Sequence, residues 1–560
     1  MTAVSQVLAQ LAQLADLAEI RGAADAADLR NATASLARLT DDDLSRLTHR
    51  AHRTHSEILP GAQRRIREVA LGGGDGALRA ARARIPLLMR RLLELTAATT
   101  HETAQLATMC GVATLADLET ALDDGRVERT LGALSAARLT SAAEALAREL
   151  PPLPLGRAID ALESIKALLE AQCASLCDVA IAGDARRHEA LVAGLVVVAW
   201  AADPVAAIAQ VCAASGIDDV LCRTSGRAVV LWQEAEIDVR VAVQAEYGSV
   251  LFAATGARQH VRAVTERRGR RTICPGEEDV YRKAGLQFIA PELRHGTGEV
   301  EAASSKALPT LVERTDIRGD LHMHTTYSDG QDTLETMVAA CVQLGHAYIA
   351  ITDHSESAAA SRTLSLDQLT RQRDEIERLR PRYPDITILH GVEVDILTDG
   401  RLDFPDAILE RLDIVLASLH DAAGQDGAAL TRRCIRAIRH PLVNVITHPA
   451  NRLVGRRAGY PLDFDAVYAA AADTGTALEI DGAPSHLDLD GEHARAAVTA
   501  GATVTIDSDC HRAKALGRQM LLGVGTARRG WVEKRHVLNA RPLEEVRAFI
   551  RAKRDGKRQA

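Results

Sequence analysis

Residues 317–330 read IRGDLHMHTTYSDG: a short apolar run, two histidines one residue apart, and an aspartate in the polar turn that follows. The same grammar recurs down to the C-terminus. Apolar runs at 347–351 (AYIAI), 386–392 (ITILHGV), 413–418 (DIVLAS), 443–447 (VNVIT), 476–480 (TALEI) and 502–506 (ATVTI) each lead into a loop and then an amphipathic stretch. Strand-length runs that alternate with helical patterns predict parallel βα units, so the chain from Ile317 onward is predicted to be a seven-stranded barrel-like domain.

In such a domain the C-terminal ends of the strands converge on one face. His322 and His324 follow the first predicted strand, with Asp329 in the next turn. His354 follows the second, Glu393 the third, His420 the fourth and His448 the fifth, while Asp509 and His511 follow the last. A single histidine is usually an ordinary surface or core residue, and His346, His390, His440, His486, His493 and His536 are read that way. Nine ligand-type side chains, each at a strand end, point instead to a metal centre. Imidazole and carboxylate without thiolate suit manganese, zinc or iron, and nine donors exceed the roughly four to six that one ion uses. Two or three divalent ions are implied, with Glu393 able to bridge a pair. Such clusters favour hydrolysis of phosphate esters, because the ions activate water and neutralise charge on phosphoryl oxygens. Glu393 and Asp509 are the catalytic candidates, together with Arg452 and Arg456, which lie beside Arg457 just after His448 and could clamp a phosphate.

At 560 residues the chain is too long for one ordinary core, and 47% hydrophobic with 25% charged residues is a globular balance. No apolar stretch is long enough to span a bilayer and the start lacks a signal-type pattern, so a cytoplasmic protein with no membrane partner is expected. The nine cysteines are scattered and read as reduced thiols. A net charge of −8 argues against a nonspecific polycation, although basic runs occur at 258–271 and near the C-terminus. Residues 1–170 carry apolar residues at helical spacing. Between about 176 and 300, strand-like runs (CDVAIAG, GLVVVAW, RAVVLWQ, IDVRVAV) alternate with helical stretches such as PVAAIAQVCAASG, and a stretch of small and polar residues near 296–316 reads as a linker.

The motifs DLHMHTTYSDG, ITDHS, GVEVDIL, ASLH, THP and DSDCH resemble the polymerase and histidinol phosphatase (PHP) domain, and HPANRLVGRRAGY and GVGTARRGWVEKRHVLN resemble the PHP domain attached to bacterial family X DNA polymerases. The resemblance extends over nearly the whole chain. It implies a multidomain fold: a helical DNA-end-binding-like domain over 1–90, a helical fingers-like region with eroded helix-hairpin-helix turns over 91–170, an α/β polymerase-beta-like palm and thumb over 171–300, a linker over 301–316, and a distorted (β/α)7 barrel over 317–560. It also implies a ligand set: His322, His324, Glu393 and Asp509 for one ion, Glu393, His420 and His448 for a second, and Asp329, His354 and His511 for a third. The activity it implies is manganese-dependent 3′-to-5′ exonuclease and abasic-site or 3′-end cleaning in DNA repair. One departure lies in EIDGAPSHLDLD, where the family typically has asparagines and an arginine.

The segment IAGDARRHEALVAGLVVVAW resembles the polymerase motif, with Gly183, Arg186 and Arg187 retained. Gly194 and Val196, however, stand where two metal-binding aspartates belong, and Asp184 stands where a serine would meet the triphosphate. Only Asp238 survives of the three carboxylates, and one carboxylate cannot hold two magnesium ions. The expectation is therefore a PHP phosphoesterase on DNA, joined to a polymerase-like module without nucleotidyl transfer. Arg186, Arg187, Arg258, Arg262, Arg267 and Arg268 are its DNA-contact candidates. Phosphomonoester hydrolysis on a small metabolite, a retained repair polymerase and a binding scaffold are the alternatives.

Overall fold

The computed structural model describes residues 3–49, 58–72, 74–149, 152–269, 273–358 and 362–556, and every structural statement below concerns these. Chain contacts divide them into two units. The first comprises Met1–Pro152, Asp160–Gly183 and Ala193–Gly285. It opens with helices, from Ala3–Arg21 to Ala133–Glu149, in which Leu and Ala at helical spacing are turned inward; Leu11, Leu17 and Ile20 of the first helix are buried. Helices at Asp41–Thr48, Thr100–Met109 and Leu115–Asp123 start on capping boxes built by Thr40 with Asp43, Thr99 with Glu102 and Thr114 with Asp117. In each, hydroxyl and carboxylate satisfy N–H groups that the first turn leaves open.

The same unit holds a mixed sheet of β1 (Cys177–Ile181), β2 (Leu195–Trp200), β3 (Asp219–Arg223), β4 (Arg227–Trp232) and β5 (Ala235–Ala242), in the order β1-β2-β5-β4-β3. β2 and β5 are parallel, which places Val196 directly beside Asp238, and the other pairs are antiparallel. The strand-like runs of the sequence account for β1, β2, β4 and β5. β3 is an addition: its DVLCR run is half polar because it is an edge strand with only Leu221 and Cys222 fully buried.

The second unit comprises Leu153–Ile159, Asp184–Val192 and Leu286–Ala560. Its seven parallel strands are β6 (Gly319–Asp320), β7 (Tyr348–Ile351), β8 (Thr387–Asp395), β9 (Ile414–Ser418), β10 (Val445–Ile446), β11 (Ala477–Asp481) and β12 (Val504–Asp507), and they lie side by side in chain order. All seven coincide with the apolar runs predicted from sequence. Helices cover their outer faces, so strand residues are buried on both sides and the runs are continuous rather than alternating. The sheet curls until its ends meet: Met323, beyond β6, bridges Cys510, beyond β12, and the His324 N–H donates to the Cys510 carbonyl at 3.0 Å. The result is a nearly closed barrel.

The expected linker is a correction. Residues 301–316 are packed onto the second unit, since the helix Glu299–Ser304 buries Val300 and Ala303, and the Val312 N–H donates to the Val532 carbonyl at 2.9 Å. Small and polar neighbours concealed the apolar anchors. The contact boundary falls at Gly285/Leu286, and the expected palm-and-thumb range 171–300 gives up both its end and residues 184–192 to the barrel unit. All nine cysteines are unpaired. No helix among the described residues is long and apolar enough to cross a membrane.

Candidate metal centre

The strand ends bring the nine predicted ligands together. Glu393, wholly buried, occupies the middle. Its Oε1 lies 3.0 Å from His448 Nε2 and 3.4 Å from His420 Nε2, while its Oε2 lies 2.7 Å from His354 Nδ1, 3.5 Å from His322 Nε2 and 3.7 Å from His324 Nε2. One oxygen thus faces each side of the cluster. Asp509 Oδ1 is 3.0 Å from His324 Nε2 and 3.6 Å from His322 Nε2, and Asp329 Oδ1 is 3.2 Å from His511 Nε2 and 3.5 Å from His354 Nε2. β8 runs on to Asp395, so Glu393 projects from within a strand rather than following one.

Three overlapping groups of donor atoms could each hold an ion: His322, His324 and Asp509; His354, Glu393 and His420; and His324, Asp329, His354 and His511. The grouping implied by the family resemblance differs mainly in giving His448, rather than His354, to the ion shared by Glu393 and His420.

The donor chemistry fits divalent cations. His354 Nδ1 and Glu393 Oε2 approach closely yet neither makes a hydrogen bond, and Asp329 Oδ1 is likewise unpartnered among the described residues although two imidazoles flank it. His322 Nε2 and His324 Nε2 face each other at 3.1 Å, where at most one can be protonated as a neutral ring. Lone pairs that converge without bonding one another are the arrangement a cation satisfies.

The surrounding protein fixes the rings. His322 Nδ1 is 2.7 Å from Glu479 Oε1, His420 Nδ1 is 2.5 Å from Asp395 Oδ1, and the His448 backbone N–H donates to Glu479 Oε2 at 2.7 Å. Carboxylates on Nδ1 leave Nε2 to face the centre and raise its basicity. His448 and Asp509 also hold positive φ values, 26° and 47°, a region that costs an L-residue on the order of 1–3 kcal/mol and that concentrates at functional sites. Burial opposes charge on His322, but Glu479, Glu393 and Asp509 outweigh it and hold this imidazole well above its usual pKa. The same contest pushes His420, beside Glu393 and Asp395, up to about 10, and His511, beside Asp329 and Asp509, up to about 9. His324, buried with His354 and His511 as neighbours, drops to about 3.

Sequence reasoning missed Glu479, Asp395 and Asp481, and set His486 aside. The first three had a signal: Glu393/Asp395 and Glu479/Asp481 are paired acids two residues apart, which a strand turns to the same face. The arginine expectations need correction. Arg452 is spent on the protein, donating to the His486 and Leu487 carbonyls and to Asp490, and Arg457 donates to Asn451. Arg456 is exposed at the edge of a cavity of about 520 Å³ formed with Leu191, Tyr460 and His493, and it remains available for an anion.

The proposed DNA contacts fare unevenly. Arg187 is buried and paired with Asp184 at 2.5 Å, which removes it from any DNA surface, and Arg186 is half-buried. Arg258 pairs with Asp123 at 2.9 Å and Arg262 with Glu266 at 2.9 Å, while Arg268 donates to Ser249 Oγ at 3.2 Å. Arg267 is exposed. Arg270 and Arg271, and the end of the C-terminal basic run, lie outside the described residues. Of the residues expected at the polymerase position, Gly194 precedes β2 and Val196 sits in it beside Asp238. Asp238 itself is buried between Arg227, at 2.7 Å, and Arg240, at 2.8 Å, both of which also reach Asp117.

Residues 320–445 match the PHP domain family. The DNA polymerase/3′-5′ exonuclease PolX of Bacillus subtilis (strain 168) is 32% identical over 537 residues, which are 92% of this chain and 94% of that one. A probable phosphatase of Shewanella sp. (strain MR-4) is 35% identical over 210 residues, 35% of this chain and 78% of its own length. The crystal structure of a histidinol phosphate phosphatase from Lactococcus lactis subsp. lactis Il1403 aligns with 38% of this chain and 93% of its own, at 17% identity and a TM-score of 0.31. With 32% identity along almost its whole length, and a PHP domain match over residues 320–445, the chain belongs to the PolX family of DNA polymerase/3′-5′ exonucleases.

Proposed function

We propose that this chain is a metal-dependent phosphoesterase that trims DNA 3′ ends or abasic sites with its PHP barrel, and that its polymerase-like unit performs no nucleotidyl transfer. The observation that carries the first half is the gathering of eight imidazole and carboxylate side chains about the buried Glu393. Two or three divalent ions, of which manganese is the first to test, fit that donor set. When bound, they supply Lewis acidity to a phosphoryl oxygen and an acidified water. The chain's own residues do the rest: Glu393 spans the cluster, Glu479 and Asp395 hold His322 and His420 in the tautomer that faces it, and Arg456 stands exposed where a phosphodiester can reach it. DNA as the substrate is supported by the exonuclease named among the relatives, which this chain matches end to end.

The loss of nucleotidyl transfer is supported by Asp238. Its carboxylate is neutralised by two arginines, its neighbour across the sheet is a valine, and the nearby carboxylate of Asp117 is engaged by the same two arginines, which argues against a shared magnesium ion. The test incubates the protein with manganese and a 5′-labelled primer on gapped DNA, with and without nucleotides, alongside a His322→Ala/His324→Ala variant. Shortening that the variant lacks, with no extension, is the expected result. Extension would overturn the polymerase half. Phosphate release from small esters without any action on DNA would favour the metabolite phosphatase, a reading supported by the 35% identity of the barrel region to a probable phosphatase.

A further inference from the structure

We propose that the centre of this chain takes one more divalent cation than the nine ligands account for, held by Asp481, His486 and Asp509. The inference rests on the metal-dependent reading above and extends it. Asp481 ends β11, and His486 lies in the loop that follows, its ring stacked on that of His448 with centroids 5.2 Å apart. A donor atom from each of Asp481, His486 and Asp509 lies within 4.8 Å of the other two.

These three side chains are not held by one another. No hydrogen bond or ion pair joins them among the described residues. Asp481 is wholly buried; its Oδ1 accepts from the Ala483 N–H at 2.5 Å, but its Oδ2 has no partner, and neither has the buried Nδ1 of His486. Two carboxylates and an imidazole make no bond to one another, yet a donor atom of each lies within 4.8 Å of the other two, close enough for one ion to draw all three in. Buried carboxylates are tolerated when paired or metal-bound, and the anionic neighbourhood here already includes Glu479 and Glu393. A cation is the partner that Asp481 Oδ2 and His486 Nδ1 lack among the described residues.

Asp509, whose Oδ1 lies 3.0 Å from His324 Nε2 and 3.6 Å from His322 Nε2, is placed to serve this ion and the His322/His324 ion together. Two carboxylates and one imidazole leave coordination positions open, and suit zinc, manganese or iron.

The experiment strips the full-length protein with a chelator, reloads it with manganese, removes unbound metal and counts ions per chain by mass spectrometry. Wild type is compared with His486→Ala, Asp481→Asn and the His322→Ala/His324→Ala control. The proposal expects each of the two single variants to hold one ion fewer than wild type. Equal counts would overturn it, and so would the loss of more than one ion, which would assign the two side chains to the main centre. A wild-type chain that binds no manganese would remove the underlying metal reading as well. Because a variant can fail to fold, anomalous scattering from wild-type crystals soaked in manganese gives a second reading: a peak among Asp481, His486 and Asp509 supports the site, and peaks confined to the nine-ligand cluster overturn it.

Discussion

Glu479 fixes two ligands with one carboxylate, since one oxygen meets His322 Nδ1 and the other accepts the His448 N–H. Glu479→Gln keeps the shape but turns one acceptor into a donor, so His322 loses the partner that sets its tautomer. Metal affinity is expected to fall about 10- to 100-fold, as measured by competition with a chromogenic chelator. The same residues fix a pH dependence. His322, His420 and His511 hold their protons above the usual imidazole range, so each must give one up before it can ligate. Manganese affinity should therefore rise continuously from pH 6 to about 9, and calorimetry in buffers of different ionisation enthalpy should show more than one proton released per chain at pH 7. A flat profile over that range would contradict the pKa assignments. The candidate ligands were legible because all but Glu393, which lies within β8, follow the end of a predicted strand. Glu479 was not, because its partner His322 lies 157 residues away and only the closed barrel brings them together.

At the scale of elements, the parallel pair β2–β5 sets the surroundings of Asp238. Val196 and Asp238 stand side by side, and the valine offers the aspartate nothing, so Arg227 of β4 and Arg240 of β5 close on it and tie it to Asp117. The carboxylate has become a brace between sheet and helix. Burial works against its charge, but Arg240 and Arg227 prevail and hold its pKa down at about 2. Asp238→Asn leaves two arginines with only Asp117 between them and should destabilise the protein by about 3 kcal/mol at neutral pH, read by chemical denaturation. Because the folded-state pKa is depressed, this contribution is present above the usual carboxylate range and fades as pH falls toward 2, so the gap between variant and wild type should narrow in acid. The barrel strands were readable because burial on both faces makes them continuous apolar runs. β3 escaped because an edge strand needs few apolar residues.

At the scale of the whole molecule, the sequence suggested modules strung in order, and contacts show interleaving. The barrel unit takes in residues 184–192 from the middle of the polymerase-like stretch. Composition could not reveal this, because the joining contacts are a two-residue ladder of Leu153–Pro154 with Leu191–Val192 and polar pairs to residues a hundred or more positions away. Glu189 is the clearest of them, paired with Arg529 and, at 3.0 Å, with His295 Nδ1. Burial resists its charge, yet His295 and Arg529 bring its pKa down to about 2, so its stabilisation is complete above the unfolded value of 4.5 and is lost as pH drops toward 2. Glu189→Gln removes that charge and leaves Arg529 unneutralised, at a cost of about 3 kcal/mol at pH 7. In scanning calorimetry the variant's barrel unit should melt roughly 5 °C lower at pH 7, with the difference shrinking as the pH is taken down to 3. If the segment 184–192 were only a passing connection, the substitution would leave the melting temperature unchanged at both pH values.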